Sequence, residues 1–166
     1  MDVKLFEHKF FDDLSERARS NPRRRQHSNI HVDYSEHCQR LFNAIEPDSY
    51  IRPHRHASDP RSELLVAICG AMAVVIFDNE GCIERIAKLA TEKFAEGSCF
   101  AVEVSPMEWH TVIALQKGSI LLEVKAGPFN PASPKDFATW APVENTADAH
   151  GYLQGLFVHA ESLELT

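Results

Sequence analysis

The sequence has no apolar run long enough to span a membrane, no CxxC pair, no internal repeat or low-complexity tract, and no excess of basic charge. Each absence excludes a class of protein. Without a long apolar run there is no transmembrane helix. The opening Met1-Asp2-Val3-Lys4-Leu5-Phe6-Glu7-His8 also has no apolar core of signal-peptide length, so a cytoplasmic location is expected. Cys38, Cys69, Cys82 and Cys99 are scattered and mostly within apolar stretches, which predicts reduced, buried thiols rather than a disulfide frame or zinc knuckle. The 17 basic and 24 acidic residues give a net charge of −7, which argues against a nucleic-acid partner gripped through overall positive charge. With 44% hydrophobic and 25% charged residues, wholesale disorder is excluded as well. What remains is a globular chain of 166 residues, enough for one domain with an appendage.

Nine histidines stand out, because imidazole is the commonest metal ligand and titrates nearest neutral pH. Where they fall depends on the elements that carry them. Residues 1–47 read as a helical and extended segment, with a short helix around Phe10 to Arg19 ahead of Asn21-Pro22. A second helix is expected over 33–46: Asp33 and Glu36 resemble a capping box, Cys38, Leu41, Phe42 and Ile45 recur at helical spacing, and Pro47 stops the run. Residues 48–127 then read as seven extended runs: Tyr50 to His56, Glu63 to Cys69, Ala71 to Phe77, Cys82 to Leu89, Cys99 to Val104, Trp109 to Leu115 and Ser119 to Lys125. Their short connections leave no room for helical crossovers, so an antiparallel sandwich or barrel is predicted. Residues 128–166, with Pro131, Pro134 and Pro142, are expected to wrap that barrel or contribute to a partner contact.

In an extended run, residues two apart share a face, so His54 and His56 point the same way, with Tyr50 and Arg52 beside them. After the turn-forming Ala57-Ser58-Asp59-Pro60, Glu63 begins the next run and can return towards them. His110 opens a later one. Three neutral nitrogens and a carboxylate suit a divalent transition metal: Fe, Mn, Ni, Co or Zn. An HxH pair alone is more often two ordinary histidines than a metal site; the ordered set carries the metal reading.

That ordered set, His54, His56, Glu63 and Gly70 followed by Gly97, Pro106 and His110, resembles the two motifs of the cupin superfamily. Asp48-Ser49 stands where a leading glycine is usual, the loop from histidine to glutamate is long, and Pro-Met-Glu-Trp-His lacks its usual glycine. No ligand position is lost. The resemblance implies a mainly β cupin fold, a double-stranded β-helix or jelly-roll barrel with a short N-terminal helical segment, and His54, His56, Glu63 and His110 as metal ligands. A closer resemblance, over about residues 22–144, is to the WbuC family of cupin-fold metalloproteins. It is carried by Arg25-Gln26-His27-Ser28-Asn29-Ile30-His31, Ser49-Tyr50-Ile51-Arg52-Pro53-His54-Arg55-His56, Trp109-His110-Thr111, Glu123-Val124-Lys125-Ala126-Gly127-Pro128 and Ala138-Thr139-Trp140-Ala141-Pro142, with Gln39-Arg40 between. It implies a place in bacterial surface-polysaccharide metabolism.

Around the ligands, Arg52 is expected either to pair with a barrel carboxylate or to hold an anionic substrate. Arg55 should face outward. His27, Asn29 and His31 alternate in an extended stretch and are candidates to cover the barrel mouth, Asn29 contacting substrate and His27, His31 or Tyr50 moving a proton. His8, His37, His150 and His159 have no evident partners. Residues 1–61 carry 11 basic and 10 acidic side chains and the remainder 6 and 14, so a small anionic or sugar-derived ligand is compatible with the acidic whole. The leading expectation is a homodimeric metal-dependent enzyme, an isomerase or epimerase, or an Fe(II) dioxygenase. The alternatives are a non-catalytic metal or sugar sensor and a metal-free epimerase-like barrel.

Overall fold

A computed structural model describes residues 3–58, 60–93, 97–132 and 135–162. Asp59 of the expected turn and Pro134 lie outside the described residues. Among the described residues, no helix is long and apolar enough to cross a membrane.

Helix α1 (His8–Ser20) ends where Asn21-Pro22 removes the next donor, with Arg17 and Arg19 favourably placed in its last turn. Ten strands follow: β1 (Arg25–Asn29), β2 (Cys38–Ile45), β3 (His54–Arg55), β4 (Glu63–Cys69), β5 (Ala71–Phe77), β6 (Ile83–Ala90), β7 (Ala101–Val104), β8 (Trp109–Ala114), β9 (Ser119–Ala126) and β10 (Asp136–Phe137). Helix α2 (Ala147–Ser162) closes the described chain. The strands form two antiparallel five-stranded sheets, ordered β1-β2-β9-β4-β7 and β10-β3-β8-β5-β6. This is the mainly β jelly-roll expected, with the N-terminal helix; the C-terminal helix α2 is additional.

Three apolar layers hold it together. Between the sheets lie Ile45, Leu65, Met72, Val74, Leu89, Val112 and Leu121. Outside the first sheet, Leu14 and Ala18 of α1 pack on Phe42, Ala44 and Ile120. Outside the second, Leu153, Leu156 and Ala160 of α2 pack on Ala73, Val75, Phe77 and Ile113. Strand β5 is thus covered on both faces, which is why Ala71–Phe77 is apolar throughout instead of alternating.

The helix expected over 33–46 is not formed; its second half is β2. Both faces of β2 are covered: Ile45 enters the inter-sheet core while Phe42 and Ala44 meet α1. Apolar residues on both faces of a strand reproduce a helical spacing by coincidence. The box residues act in a turn instead: Ser35 N donates to Asp33 Oδ1 at 2.8 Å and Val32 N to Glu36 Oε1 at 2.5 Å. Buried Gln39 fastens that turn through Nε2 to Glu36 O at 2.9 Å. The expected burial of the cysteines also needs correcting: all four are free, but Cys38 and Cys82 are exposed and Cys69 and Cys99 half-buried.

Candidate metal centre

The site forms between the sheets, where β3 and β8 of one face β4 and β9 of the other. His54 and His110 are directly paired across β3 and β8, with ring centroids 4.6 Å apart. His56, just past β3, places its ring 5.5 Å from His54 and 6.1 Å from His110. The ligand atoms of these three rings lie within 4.8 Å of one another. Glu63, the first residue of β4, reaches across to them: its Oε1 is 2.9 Å from His56 Nε2 and its Oε2 3.3 Å from His110 Nε2. The His54, Glu63 and His110 residues are buried and His56 nearly so.

Backbone carbonyls orient the rings. Nδ1 of His54 lies 3.0 Å from Arg52 O, and Nδ1 of His110 lies 2.9 Å from Glu108 O. A carbonyl only accepts, so each Nδ1 carries the proton and, in a neutral ring, Nε2 keeps its lone pair pointing inward. His54 is held neutral: burial, then the charges of Lys135 and His110, push its pKa well below the usual imidazole value. Burial opposes charge on Glu63 too, yet His110, His56 and Lys125 outweigh it and keep the carboxyl well below its usual range.

The result is an enclosed cluster of acceptors that calls for positive charge. His110 Nε2 lies 3.3 Å from a carboxylate oxygen, and His56 Nε2 is buried without a hydrogen-bond partner despite its closeness to Glu63. Two ammonium groups now answer that need. Lys125, beside Glu63 in the β4–β9 register, donates to Glu63 Oε1 at 3.0 Å and to Glu123 Oε1 at 2.9 Å. Lys135 brings its Nζ to 2.8 Å from His54 Nε2. A divalent ion would satisfy the same atoms. The three histidines therefore fit a metal site, with Glu63 against two of them.

The other expected site residues do not converge on it. Tyr50 belongs to the core under α2, beside Tyr152 at 5.9 Å, and its hydroxyl donates to Pro142 O at 3.0 Å. Burial pushes its phenol up, so it is not placed to move a proton at the histidines. Arg52 meets neither a barrel carboxylate nor the site's interior: it donates to Ala138 O through Nε and Nη2, at 3.1 and 2.6 Å, below the Phe137 ring. His27 and Asn29 are exposed on the edge strand β1. His31 is buried, its Nδ1 against the Arg40 backbone and its ring near Tyr34. The alternation argument fails before His54 because Tyr50-Ile51-Arg52-Pro53 is not a regular strand. Arg55, expected to face outward, is half-buried, its guanidinium over the Trp109 ring and its Nε 3.5 Å from Asp136 Oδ2. Sequence reasoning missed both lysines. Lys125 could have been found from the inward alternation of β9; Lys135 sits in an irregular segment with no periodic signal.

The two facing sheets have the cupin fold, and the histidine cluster lies between them. The chain belongs to the family described as a domain of unknown function, DUF6016, whose model matches residues 6–89. No curated protein matches it. Among solved structures it is similar to protein SO0799 from Shewanella oneidensis, with a TM-score of 0.55 at 12% identity over 67% of this chain and 72% of that one. It is also similar to KdgF from Halomonas sp., with a TM-score of 0.50 at 13% identity over 68% and 86%. A third likeness is to oxalate decarboxylase OxdC of Bacillus subtilis, with a TM-score of 0.50 at 18% identity over 68% of this chain but only 27% of that one. One study of the Bacillus protein concerns its Mn(II) centers. At these identities the likeness shows the fold alone.

Proposed function

We propose that this protein is a metal-dependent cupin enzyme that binds a divalent transition metal through His54, His56, Glu63 and His110 and acts on a small anionic or sugar-derived molecule. The observation that carries the reading is the convergence of three imidazoles whose ligand atoms lie within 4.8 Å of one another, two of them against the buried Glu63 carboxylate, with His56 Nε2 lacking a hydrogen-bond partner. The Mn(II) centers of the Bacillus decarboxylase make manganese the first ion to try, with Fe, Co, Ni and Zn beside it. A bound ion would supply Lewis-acid polarisation of a substrate oxygen. The chain's own residues do the rest: Arg52 O and Glu108 O hold the rings in register, Lys125 fixes Glu63, and Phe137 offers a half-exposed apolar wall 6.3 Å from His54. The resemblance to the WbuC family supports a role in bacterial surface-polysaccharide metabolism.

Elemental analysis of protein loaded with each ion and desalted tests the ligand set. His56→Ala and Glu63→Ala are expected to lose most of the bound metal, while His150→Ala on α2 retains it. Equal occupancy in all three variants would overturn the assignment.

A further inference from the structure

Outside the second sheet, on the face turned away from the histidine cluster, α2 and the β5–β6 hairpin enclose a cavity of about 590 Å³. That volume falls within the roughly 300–1,000 Å³ of small-molecule sites. The buried Phe77 and Leu156 form its floor, and Ile83, Ile86 and the Tyr152 ring stand around them, with His159 from the last turn of α2. A glycine keeps it open. Gly155 lies inside α2, where glycine weakens a helix, and a Cβ added there would meet nothing within 4 Å. Among the described residues, then, no close neighbour requires that glycine. Nor does any aspartate, glutamate, lysine or arginine line the cavity, although such residues make up 25% of the chain. The Tyr152 hydroxyl makes no hydrogen bond among the described residues, and burial pushes it up to about 12, so it is a neutral donor. Negative charge stands at the rim. Asp78 Oδ1 accepts from Cys82 N at 2.8 Å, and the charge of Asp78 chiefly, with that of Glu80 beyond it, raises the Cys82 thiol.

We propose that this cavity is a second binding site, separate from the histidine cluster, and that it takes an uncharged aromatic molecule. The Phe77 and Tyr152 rings offer edge-to-face or offset contact to another ring, and the isoleucines and Leu156 reward burial of an apolar body. An anionic ligand would approach against Asp78 and Glu80, with no lysine or arginine on the lining to receive it. A second copy of the chain would bring the same carboxylates to the same rim, like charge against like. The Tyr152 hydroxyl is left to meet one polar atom of the ligand. None of this depends on the metal reading, because the cavity and the cluster lie on opposite faces of the second sheet.

Two fluorescent probes that differ by one sulfonate test this: neutral N-phenyl-1-naphthylamine and anionic 8-anilino-1-naphthalenesulfonate. Titrated into the full chain, the neutral probe is expected to bind saturably and more tightly than the sulfonate. Gly155→Leu, which puts a side chain into the open space, should weaken the neutral probe about tenfold without lowering Tm. Cys82→Leu enters from the facing wall and serves as a second plug if the first variant does not fold. Val158→Ser, on α2 but outside the lining, should bind as the unsubstituted protein does. No saturable binding of the neutral probe, tighter binding of the sulfonate, or an affinity unchanged in both leucine variants would each overturn the proposal. Binding that vanishes on chelation would move the ligand to the histidines, and binding that appears only as a dimer dissociates on dilution would give the cavity to a second copy; either result overturns it as well.

Discussion

Replacing Glu144 by glutamine should separate what ties the C-terminal segment to the barrel from what binds metal. Both Glu144 oxygens are gripped by Arg25 Nη2, at 2.8 and 2.7 Å, Arg23 approaches at 3.4 Å, and the Arg52 amide donates to Oε1 at 3.3 Å. The side chains of Arg25 and Glu144 are only 10% and 20% exposed, so the pair is poorly screened. Breaking a buried pair from one side costs about 3–5 kcal/mol. Glutamine keeps an acceptor for the arginine and for the Arg52 amide, and the pair is partly wet, so about 2 kcal/mol is the reasonable share. For a chain of this size that lowers Tm by about 4–8 °C.

The same variant has a pH signature. Burial tends to raise the Glu144 carboxyl, but Arg25, the Arg52 amide and Arg23 outweigh it, so its folded pKa lies below the ordinary 4.5. A depressed carboxylate contributes stability that is fully present above the unfolded value and lost as pH falls through the folded one. Urea midpoints should therefore differ at pH 7, with the gap narrowing below about pH 4.5 as the unsubstituted protein loses the contribution the variant never had. Because the Arg52 carbonyl also orients His54, Glu144→Gln should lower metal occupancy modestly, less than His56→Ala does. A Tm within about 1 °C of the unsubstituted protein at pH 7, or a gap that does not change with pH, would refute this account of the clasp.

Three further expectations concern packing and assembly. Gly127→Ala would put a Cβ 1.8 Å from Glu36 O, against the turn that Gln39 fastens, and should cost about 2–3 kcal/mol in urea denaturation. A neutral outcome would mean the 33–37 turn moves freely. Leu153→Ala empties a fully buried position between α2 and the second sheet and should cost about 3 kcal/mol; a loss under about 1 kcal/mol would show that α2 is not docked as described. Self-association is expected because β1 and β7 leave the first sheet with two open edges and Phe100 stands exposed beside β7. Light scattering should then give twice the 18.7 kDa chain mass, and the mass of a single chain would contradict it.

Six of the seven runs read from 50–125 reappear as β4 to β9, Glu63–Cys69 and Ala71–Phe77 to the residue, and the first survives only as β3, because short strands bounded by turn residues carry their signal locally. Helix α1 was legible for the same reason. Helix α2 was not, although Ala149, Leu153, Leu156 and Ala160 recur at helical spacing, since Gly151, Gly155 and the preceding prolines weaken the pattern. Strand β2 was misread because the burial of both its faces is a property of its neighbours, the opposite sheet and α1. Tyr50 and Arg52 were misplaced because alternation presumes a regular strand, and the chain before His54 is instead pinned by side chains far away in sequence: Glu144 on the Arg52 amide and Thr111 on Ile51 O at 2.6 Å.

By itself, then, the sequence determined the strand-rich core and placed the two-residue histidine spacing, Glu63 at the head of a strand and His110 at the head of another, because those are local patterns of residue type. The tertiary structure decided which nitrogen of His54 and His110 faces inward, through the Arg52 and Glu108 carbonyls, and brought Lys125 and Lys135 to the cluster from distant segments. Charge balance in an enclosed site depends on every group that folding brings within a few ångströms, and no spacing along the chain encodes that.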